Sequence, residues 1–302
     1  MFSSGALGVG GIGISIGRHS EPHVTDRSTQ VESSWDTHGV RLTEKLVDRA
    51  ARSFGLQVSR ISSSGKNLPA EVSREDRLLI DRVQPYTMTS PERLWSLIDG
   101  VRFVIQENLV GDFVECGVWR GGSVMAMALE LNRLGVSDRN IWLYDTFTGM
   151  TEPTDLDVES GTGKSAADLL RTTDVGEGNN VWCVADRTDV EANVTSTGYP
   201  MGLMTLVEGD VSETLHQTLP SEVALLRLDT DWYESTKSCM EMLYPKLVPG
   251  GVCILDDYGH WAGARQAVDE YFDNQGSRPY MHVIDFGGRV FTKPRSHDTG
   301  TR

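Results

Sequence analysis

The sequence predicts an α/β protein built around a mainly parallel sheet. Two short apolar runs, residues 224–228 and 252–255, are each followed at once by acidic residues, at 229–231 and 256–257. A glycine-rich turn at 117–122 follows a third apolar run. Strands buried on both faces of a parallel sheet are apolar throughout, and ligands bind beyond their carboxyl ends. We therefore expect the acidic residues and the glycine-rich turn to border one crevice.

The segment ahead of the sheet is expected to contain a tail and several helices. Residues 1–40 are poor in apolar residues and rich in Ser, Gly, Thr and charge, which predicts a disordered tail. Residues 41–85 are expected to be a helical extension and linker, because apolar spacing predicts helices over 41–56 and 73–83. The amphipathic pattern over 91–109 predicts a further helix that leads into the first strand.

The turn after the first strand has the composition of a ligand-binding loop. It contains Glu115, Gly117, Trp119 and Ser123, and Ser123 leads into a helix predicted over 124–133. Glycine lets backbone N–H groups approach a ligand, and a helix N-terminus favours a negative group. Trp119 stands where the dinucleotide pattern Gly-x-Gly-x-x-Gly has its second glycine, and an indole there would obstruct a pyrophosphate. A nucleoside without phosphate, such as S-adenosylmethionine, fits better, although such turns also occur for packing alone.

The next two strands repeat the layout of an apolar run followed by an acid. Asp145 ends the second run, where a carboxylate can accept hydrogen bonds from ribose hydroxyls. Phe147, two residues later, could pack against a base or belong to the core. The next strand in the chain is predicted at residues 204–208, and it is followed by Gly209 and Asp210. The recurrence of this layout favours a nucleoside site more strongly than any one turn does.

The two acidic clusters predict a cation site. Asp229, Asp231, Asp256 and Asp257 would repel one another at the same sheet edge unless a cation joined them. Hard oxygen ligands without a paired Cys or His favour magnesium or calcium over zinc. The alternative is that these aspartates are helix caps and turn residues. His260 follows the second cluster and could either reach the crevice or lie in a surface loop.

The remaining segments predict an insertion and a closing hairpin. Residues 151–181 are long and polar, and they follow the second strand at the expected pocket mouth, as a lid or as an ordinary surface excursion. A helix is predicted over 263–272. Two apolar stretches, 282–285 and 289–293, predict an antiparallel hairpin joined by glycines, and residues 296–302 form a tail.

Composition excludes several classes of partner. The chain has 302 residues and a formal net charge of −15, which argues against nucleic acid and anionic membranes as partners. No apolar run approaches the roughly 20 residues of a membrane span. The four cysteines are scattered, as expected of reduced residues in a cytoplasmic protein.

Four segments stand out together: Gly111-Asp-Phe-Val-Glu-Cys-Gly-Val-Trp-Arg-Gly-Gly-Ser123, Leu143-Tyr-Asp-Thr-Phe-Thr-Gly-Met150, Leu226-Arg-Leu-Asp-Thr-Asp-Trp-Tyr-Glu-Ser-Thr236 and Gly250-Gly-Val-Cys-Ile-Leu-Asp-Asp-Tyr-Gly259. In this order they resemble the macrocin O-methyltransferase family. Its members are magnesium- and S-adenosylmethionine-dependent sugar O-methyltransferases of antibiotic biosynthesis, related to the mycinamicin and novobiocin enzymes. The resemblance runs from about residue 86 to residue 293 and implies a class I methyltransferase domain over 86–295. Its sheet should have seven mostly parallel strands and an antiparallel final hairpin, here preceded by the N-terminal helical extension.

The resemblance also implies roles for the candidate residues. Asp229, Asp256 and Asp257 would hold Mg²⁺. Asp231 and Asp229 would be the catalytic residues, with Asp231 as general base on a sugar hydroxyl. If the strand continues to residue 231, these two side chains also share a face, because strand residues two apart do. The residues expected to bind S-adenosylmethionine are Glu115, Gly117, Trp119, Ser123, Asp145, Phe147, Gly209 and Asp210.

The expected acceptor is a small glycosylated molecule, either a natural product or a saccharide. A catechol-like diol is an alternative acceptor, because a metal can bridge either kind of vicinal hydroxyl pair. A non-catalytic nucleoside-binding protein of the same fold is an alternative from another class. The apolar spacing over 41–56 needs a surface to cover, which is either the substrate mouth or a second subunit of a homo-oligomer.

Overall fold

A computed structural model of the protein describes residues 68–175 and 181–295. The predicted tails at 1–40 and 296–302 and the predicted helix at 41–56 lie outside the described residues. The described chain contains eight α-helices: α1 Arg74–Val83, α2 Pro91–Gln106, α3 Gly122–Arg133, α4 Ala166–Thr172, α5 Arg187–Thr195, α6 Val211–Thr214, α7 Tyr233–Met242 and α8 Ala262–Gln275. Its strands are β1 Asp112–Cys116, β2 Ile141–Asp145, β3 Met204–Glu208, β4 Val223–Leu228, β5 Leu247–Leu255, β6 His282–Val283 and β7 Arg289–Thr292.

These strands form one 7-stranded sheet in the order β3-β2-β1-β4-β5-β7-β6. Strands β1 to β5 run parallel, whereas β7 is antiparallel to both β5 and β6. The predicted mostly parallel sheet with an antiparallel final hairpin is therefore confirmed. Since β1, β2, β4 and β5 are parallel neighbours, their carboxyl ends meet at one edge of the sheet.

Alternation along the strands separates two apolar cores. Phe113 and Leu225 face a core formed with α1, α2, α3 and α5, whereas Val114 and Leu226 face one formed with α7 and α8. Successive side chains of a strand point to opposite faces, so helices can cover both sides of this sheet. The result is a three-layer α/β/α arrangement with the crevice at its edge.

The helices ahead of β1 begin at clear caps. The Ser90 side chain accepts a hydrogen bond from Arg93 N at the start of α2, and Pro91 occupies the first turn. Helix α2 ends at Gln106, three residues before the predicted end at 109. Asn108 adopts a φ of 53°, and this left-handed conformation stops the helix despite the apolar residue that follows.

Candidate active site

A cavity of about 510 Å³ lies beyond the carboxyl ends of β1, β2, β4 and β5. This volume falls in the range of ligand pockets in other proteins. Its wall contains every candidate site residue except Phe147: Glu115, Gly117, Trp119, Ser123, Asp145, Gly209, Asp210, Asp229, Asp231, Asp256 and Asp257. The structure thus brings together residues that are up to 142 positions apart, from 115 to 257.

The glycine-loop end of the cavity presents three buried polar atoms without hydrogen-bond partners among the described residues. They are Glu115 Oε2, Trp119 Nε1 and Ser123 Oγ. Burial raises the pKa of Glu115 to about 8, although Arg227 opposes this. Buried polar atoms are normally paired, so an acceptor and two donors left open on a cavity wall fit a polar ligand such as the amino-acid end of a nucleoside cofactor.

Gly117 lets the backbone after β1 pass close to the turn after β4. Its φ is +80°, and a Cβ at this position would lie 1.8 Å from the carbonyl oxygen of Asp229. Asp229 N in turn donates to Cys116 O at 2.9 Å. The glycine is therefore required first by this backbone approach, before any ligand is considered.

Asp145 holds the glycine-rich turn in place. Its Oδ2 accepts hydrogen bonds from Val118 N at 2.6 Å and Trp119 N at 2.9 Å, and its Oδ1 accepts from Phe147 N at 2.8 Å. Burial raises the pKa of Asp145, and these backbone bonds oppose that effect. A ribose contact remains a prediction, and it would have to use the remaining acceptor capacity of Oδ1.

Phe147 does not lie on the cavity wall. Its side chain is 4% exposed and packs in the core on the α5 face of the sheet, with Val190 and Val194. The backbone of Phe147 has a φ of 53°, and its N–H donates to Asp145 Oδ1. The burial of the ring agrees with the alternative, a core phenylalanine, and a contact between Phe147 and a base stays a prediction.

Asp210 serves in part as a helix cap. Its Oδ1 accepts from Ser212 N at 2.8 Å at the start of α6. It nevertheless lines the cavity together with Gly209.

Three aspartates at the ends of β4 and β5 lie close enough together that they could hold a metal ion. Asp229, Asp256 and Asp257 each offer one carboxylate oxygen within 4.8 Å of the others. Asp257 Oδ2 is buried and has no hydrogen-bond partner in the described parts of the chain. Burial and the charge of Asp231 raise the pKa of Asp257. Oxygen ligands with an unpaired buried oxygen among them fit a hard divalent cation such as Mg²⁺.

Asp231 reaches the cavity through a turn. Strand β4 ends at Leu228, so Asp229 and Asp231 do not share a strand face as the sequence suggested. Asp231 has a φ of 60°, a left-handed conformation that is uncommon for a residue other than glycine. Its Oδ1 accepts a hydrogen bond from Trp261 Nε1 at 2.8 Å. Burial, followed by the charge of Asp229, raises the pKa of Asp231 to about 8.

Two arginines at this cluster were not anticipated from the sequence. Arg227 is 2% exposed and forms ion pairs with Glu115, Asp229 and Asp256. Arg93, from α2, pairs with Asp256 as well. Arg227 lies within an apolar run of the sequence, and an arginine in a strand buried on both faces must have a charged partner.

The insertion after β2 is attached to the starts of α7 and α8. Asp157 is fully buried and accepts from Tyr233 N at 2.7 Å, and Ala262 N donates to Val158 O at 2.9 Å. Trp232 Nε1 donates to Thr151 O at 3.0 Å. The first half of the insertion is thus fixed to the elements that follow the acidic clusters, and opening as a lid stays a prediction.

The far end of the cavity is lined by residues of this insertion and of the segment that directly precedes α8. Glu159, Leu169, Val181, His260 and Trp261 contribute to its wall. His260 Nε2 lies 3.6 Å from Glu159 Oε1, and burial lowers the pKa of the imidazole. This end therefore combines apolar and aromatic walls with one polar pair.

The profile of the family described as Macrocin-O-methyltransferase (TylF) matches residues 70–293. The chain belongs to this family. Helix α1, from Arg74, falls within the match, so the family's domain begins ahead of residue 86, where the resemblance in the sequence begins.

Curated relatives of the family are similar over about two thirds of the chain. The 8-demethyl-8-(2,3-dimethoxy-alpha-L-rhamnosyl)-tetracenomycin-C 4'-O-methyltransferase of Streptomyces olivaceus is 36% identical over 203 residues, 67% of this chain and 74% of that protein. The demethyldecarbamoylnovobiocin O-methyltransferase of Streptomyces niveus is 34% identical over 210 residues, 70% of this chain and 76% of that protein. The mycinamicin III 3''-O-methyltransferase of Micromonospora griseorubida is 30% identical over 203 residues, 67% of this chain and 76% of that protein.

Among solved structures, the O-methyltransferase NovP has a TM-score of 0.62 and 26% identity, covering 84% of this chain and 99% of NovP. The fold is that of class I S-adenosylmethionine-dependent methyltransferases. This member of the macrocin O-methyltransferase family is an S-adenosylmethionine-dependent O-methyltransferase, and the non-catalytic alternative is wrong. No helix within the described ranges is long and apolar enough to span a membrane.

Proposed function

We propose that this O-methyltransferase methylates a sugar hydroxyl of a glycosylated natural product or saccharide, with Mg²⁺ bound by Asp229, Asp256 and Asp257. The observation that carries the proposal is the position of these three carboxylates, in one cavity with the open polar atoms of the glycine loop and with Asp231. The relatives' names support the acceptor class, since one names a rhamnosyl-bearing substrate and another the 3'' position of mycinamicin III.

The cofactor would occupy the glycine-loop end of the cavity. There Glu115 Oε2 can accept a hydrogen bond from an ammonium group, and Trp119 Nε1 can donate one to a carboxylate. S-adenosylmethionine supplies an electrophilic methyl group on a sulfonium. The task of this end is to fix that group at the boundary with the acidic cluster, because methyl transfer needs in-line placement against the acceptor oxygen.

The metal site would activate the acceptor. A sugar hydroxyl is a weak nucleophile at neutral pH, and Mg²⁺ stabilises developing negative charge on an oxygen as a Lewis acid. Asp257 Oδ2, buried and unpaired, is the ligand atom that is most clearly available among the described carboxylates.

Asp231 is the proposed general base. Trp261 Nε1 donates to its Oδ1, and the Asp231 carboxylate would take the hydroxyl proton as the carbon–oxygen bond forms. A pKa raised to about 8 makes this carboxylate more basic than an ordinary aspartate. The proton passes from the acceptor oxygen to Asp231, and the methyl group passes from sulfur to that oxygen, leaving a neutral thioether.

The acceptor would lie at the far end of the cavity. Trp261 and Leu169 offer apolar surface there, whereas Glu159 and His260 offer a carboxylate and an imidazole to hydroxyl groups. Sugar rings present both apolar faces and hydroxyl edges, so this wall suits a glycoside. The wall is also larger than a lone catechol ring would need, which favours a glycoside as acceptor over a catechol.

The test is a matched assay of glycosides and catechols. The full-length protein is incubated with S-adenosylmethionine and either an α-L-rhamnosyl glycoside or a catechol, with Mg²⁺ or with EDTA. We expect an O-methyl sugar, identified by NMR, only in the presence of Mg²⁺. Transfer at the same rate in EDTA would contradict the metal assignment, and a catechol preferred in kcat/KM would contradict the acceptor class.

A further inference from the structure

The acidic cluster already contains positive charge from the protein itself. Arg227 Nη1 lies 2.8 Å from Asp229 Oδ2 and also donates to Glu115 Oε1, while Nη2 donates to Asp256 Oδ1 at 2.6 Å. Its guanidinium thus contacts one carboxylate on the cofactor side and two on the metal side. With an exposure of 2%, it gains little from water and depends on these partners.

Arg93 completes the arrangement from the opposite side of Asp256. Its Nη1 donates to Asp256 Oδ2, and its Nε donates to Asp285 Oδ2 at 2.8 Å. Asp285 is itself fixed by Gly288 N at 2.7 Å in the final hairpin. Arg93 is therefore held in place independently of the metal ligands.

Thr89 links the two arginines through Asp256. Its hydroxyl accepts from Arg227 Nη2 at 3.2 Å and lies within 3.0 Å of both oxygens of Asp256. Both oxygens of this carboxylate are thus engaged before any ion is present. Burial alone would raise the pKa of Asp256, but Arg227 and Arg93 hold it below its ordinary value.

We propose that Arg227, assisted by Arg93, is the resident counter-ion of the acidic cluster, which positions Asp229 and Asp256 as preformed metal ligands and competes with Mg²⁺ for their charge. This inference rests on the magnesium dependence of the proposed function. Carboxylates packed this closely repel one another, and a fixed guanidinium fork offsets the repulsion at the geometry in which it binds them. The protein therefore keeps its site assembled without the ion and binds the ion less tightly than bare carboxylates would.

The inference predicts that Mg²⁺ can replace the positive charge that Arg227 provides to the carboxylates. Removing the guanidinium leaves buried carboxylates without their counter-charge, so the ion-free protein should lose stability. Because the competing charge is gone, Mg²⁺ should then bind more tightly and stabilise the variant more than it stabilises the wild type. A merely structural ion pair predicts the first effect without the second.

The experiment measures thermal unfolding midpoints in EDTA and in about 10 mM Mg²⁺, with calorimetric titration of Mg²⁺ into each protein. In EDTA, Arg227→Gln should unfold about 10 °C below the wild type. The increment that Mg²⁺ adds should be at least about twice the wild-type increment. Arg93→Gln, at a less buried position, should show the same pattern at smaller amplitude.

Arg102→Gln is the matched control. Arg102 is 19% exposed, similar to Arg93 at 17%, and pairs with Asp76 and Glu130 away from the cavity. Its loss should lower the midpoint in EDTA but leave the Mg²⁺ increment at the wild-type value.

Two outcomes would overturn the inference. If Mg²⁺ binds the wild type but adds no larger increment to Arg227→Gln or Arg93→Gln, the arginines are structural only and the metal assignment stands. If Mg²⁺ binds neither the wild type nor the variants, the metal part of the proposed function fails and the inference with it. Should Arg227→Gln fail to fold under both conditions, the increment of Arg93→Gln decides.

Discussion

Asp257 contributes to the acidic cluster a buried carboxylate oxygen with no partner elsewhere in the described chain. An unpaired oxygen of this kind costs free energy unless a ligand uses it. Asp229 and Asp256, by contrast, are engaged by arginine. Among the three proposed metal ligands, Asp257 is therefore the one whose chemistry depends most directly on the ion.

We expect Asp257→Asn to reduce methyl transfer by at least about 100-fold, because an amide oxygen is a poorer ligand for a hard cation than a carboxylate. The affinity for S-adenosylhomocysteine should stay within about twofold, since the glycine-loop contacts are unchanged. Initial rates and calorimetry measure the two quantities. Asp273→Asn, on the exposed face of α8, is the control and should behave as wild type. A wild-type rate for Asp257→Asn would remove this residue from the metal site.

Trp261 contacts the proposed base through one N–H. Trp261→Phe keeps aromatic packing against Trp232, at a centroid distance of 4.8 Å in the wild type, and removes the donor to Asp231. We expect kcat to fall about tenfold, equivalent to about 1.4 kcal/mol, with the KM for S-adenosylmethionine unchanged.

The control for Trp261 is another tryptophan–aspartate hydrogen bond. Trp142 Nε1 donates to Asp112 Oδ2 at 2.8 Å, outside the cavity wall. Trp142→Phe should leave kcat unchanged. An equal loss of kcat in both variants would mean that Trp261 acts on the fold and not on Asp231.

At the scale of elements, the close approach of the turns after β1 and β4 explains why glycine stands at position 117. A Cβ there would meet the Asp229 carbonyl at 1.8 Å, which no rotamer change can relieve. Any substitution must therefore move the turn that carries Asp229. The glycine-rich loop and the acidic cluster are mechanically connected at this point.

We expect Gly117→Ala to lower the free energy of unfolding by at least about 3 kcal/mol, since it adds a backbone clash to left-handed strain. Gly135→Ala is the matched control, because Gly135 also has a positive φ, +72°, but nothing lies within 4 Å of its added Cβ. That variant should lose only about 1–2 kcal/mol. Urea unfolding measures both, and equal losses would show that strain, not the clash, sets the cost.

The strands were predictable because their apolar runs are local and are bounded by acids or glycines. The errors arose where the decisive contact is distant or conformational. Asn108 ends α2 early by its backbone conformation. The pairing of Arg227 with Glu115 spans 112 residues, and no local spacing indicates it.

At the scale of the whole molecule, distant segments meet at the acidic cluster. Arg93 from α2 joins Asp256 after β5 to Asp285 in the closing hairpin, at separations of 163 and 192 residues. The sequence predicted that the ends of β4 and β5 would converge, because parallel neighbours share an edge. It could not predict that α2 supplies a cation, Arg93, to that edge, because helix spacing gives burial but not the partner of an arginine.

A second buried ion cluster joins the helices on one face of the sheet and should govern acid stability. Asp76 of α1 is 3% exposed and pairs with Arg102 of α2 and Arg133 of α3. Burial alone would raise the pKa of Asp76, but the two arginines outweigh burial and lower it from its ordinary 3.8 to about 2. The ionised carboxylate of Asp76 thus contributes to the contact between three helices.

The direction of the pH effect follows from proton binding. Because the pKa of Asp76 is lower in the folded state, the unfolded chain binds this proton first as the pH falls. The stabilisation is therefore complete above about pH 4 and is lost as the pH falls towards about 2. At about 1.4 kcal/mol per pKa unit, it amounts to about 2.5 kcal/mol.

We expect Asp76→Asn to be less stable than the wild type at pH 7 by at least about 2 kcal/mol. The difference between the two unfolding free energies should shrink as the pH falls from about 4 to about 2, because protonation then removes the same charge from the wild type. Urea unfolding across this window measures it. Asp81 is exposed on the same helix, and the unfolding free energy of Asp81→Asn should change with pH as that of the wild type does. A difference for Asp76→Asn that stays constant down to pH 2 would mean that its charge does not stabilise the folded state.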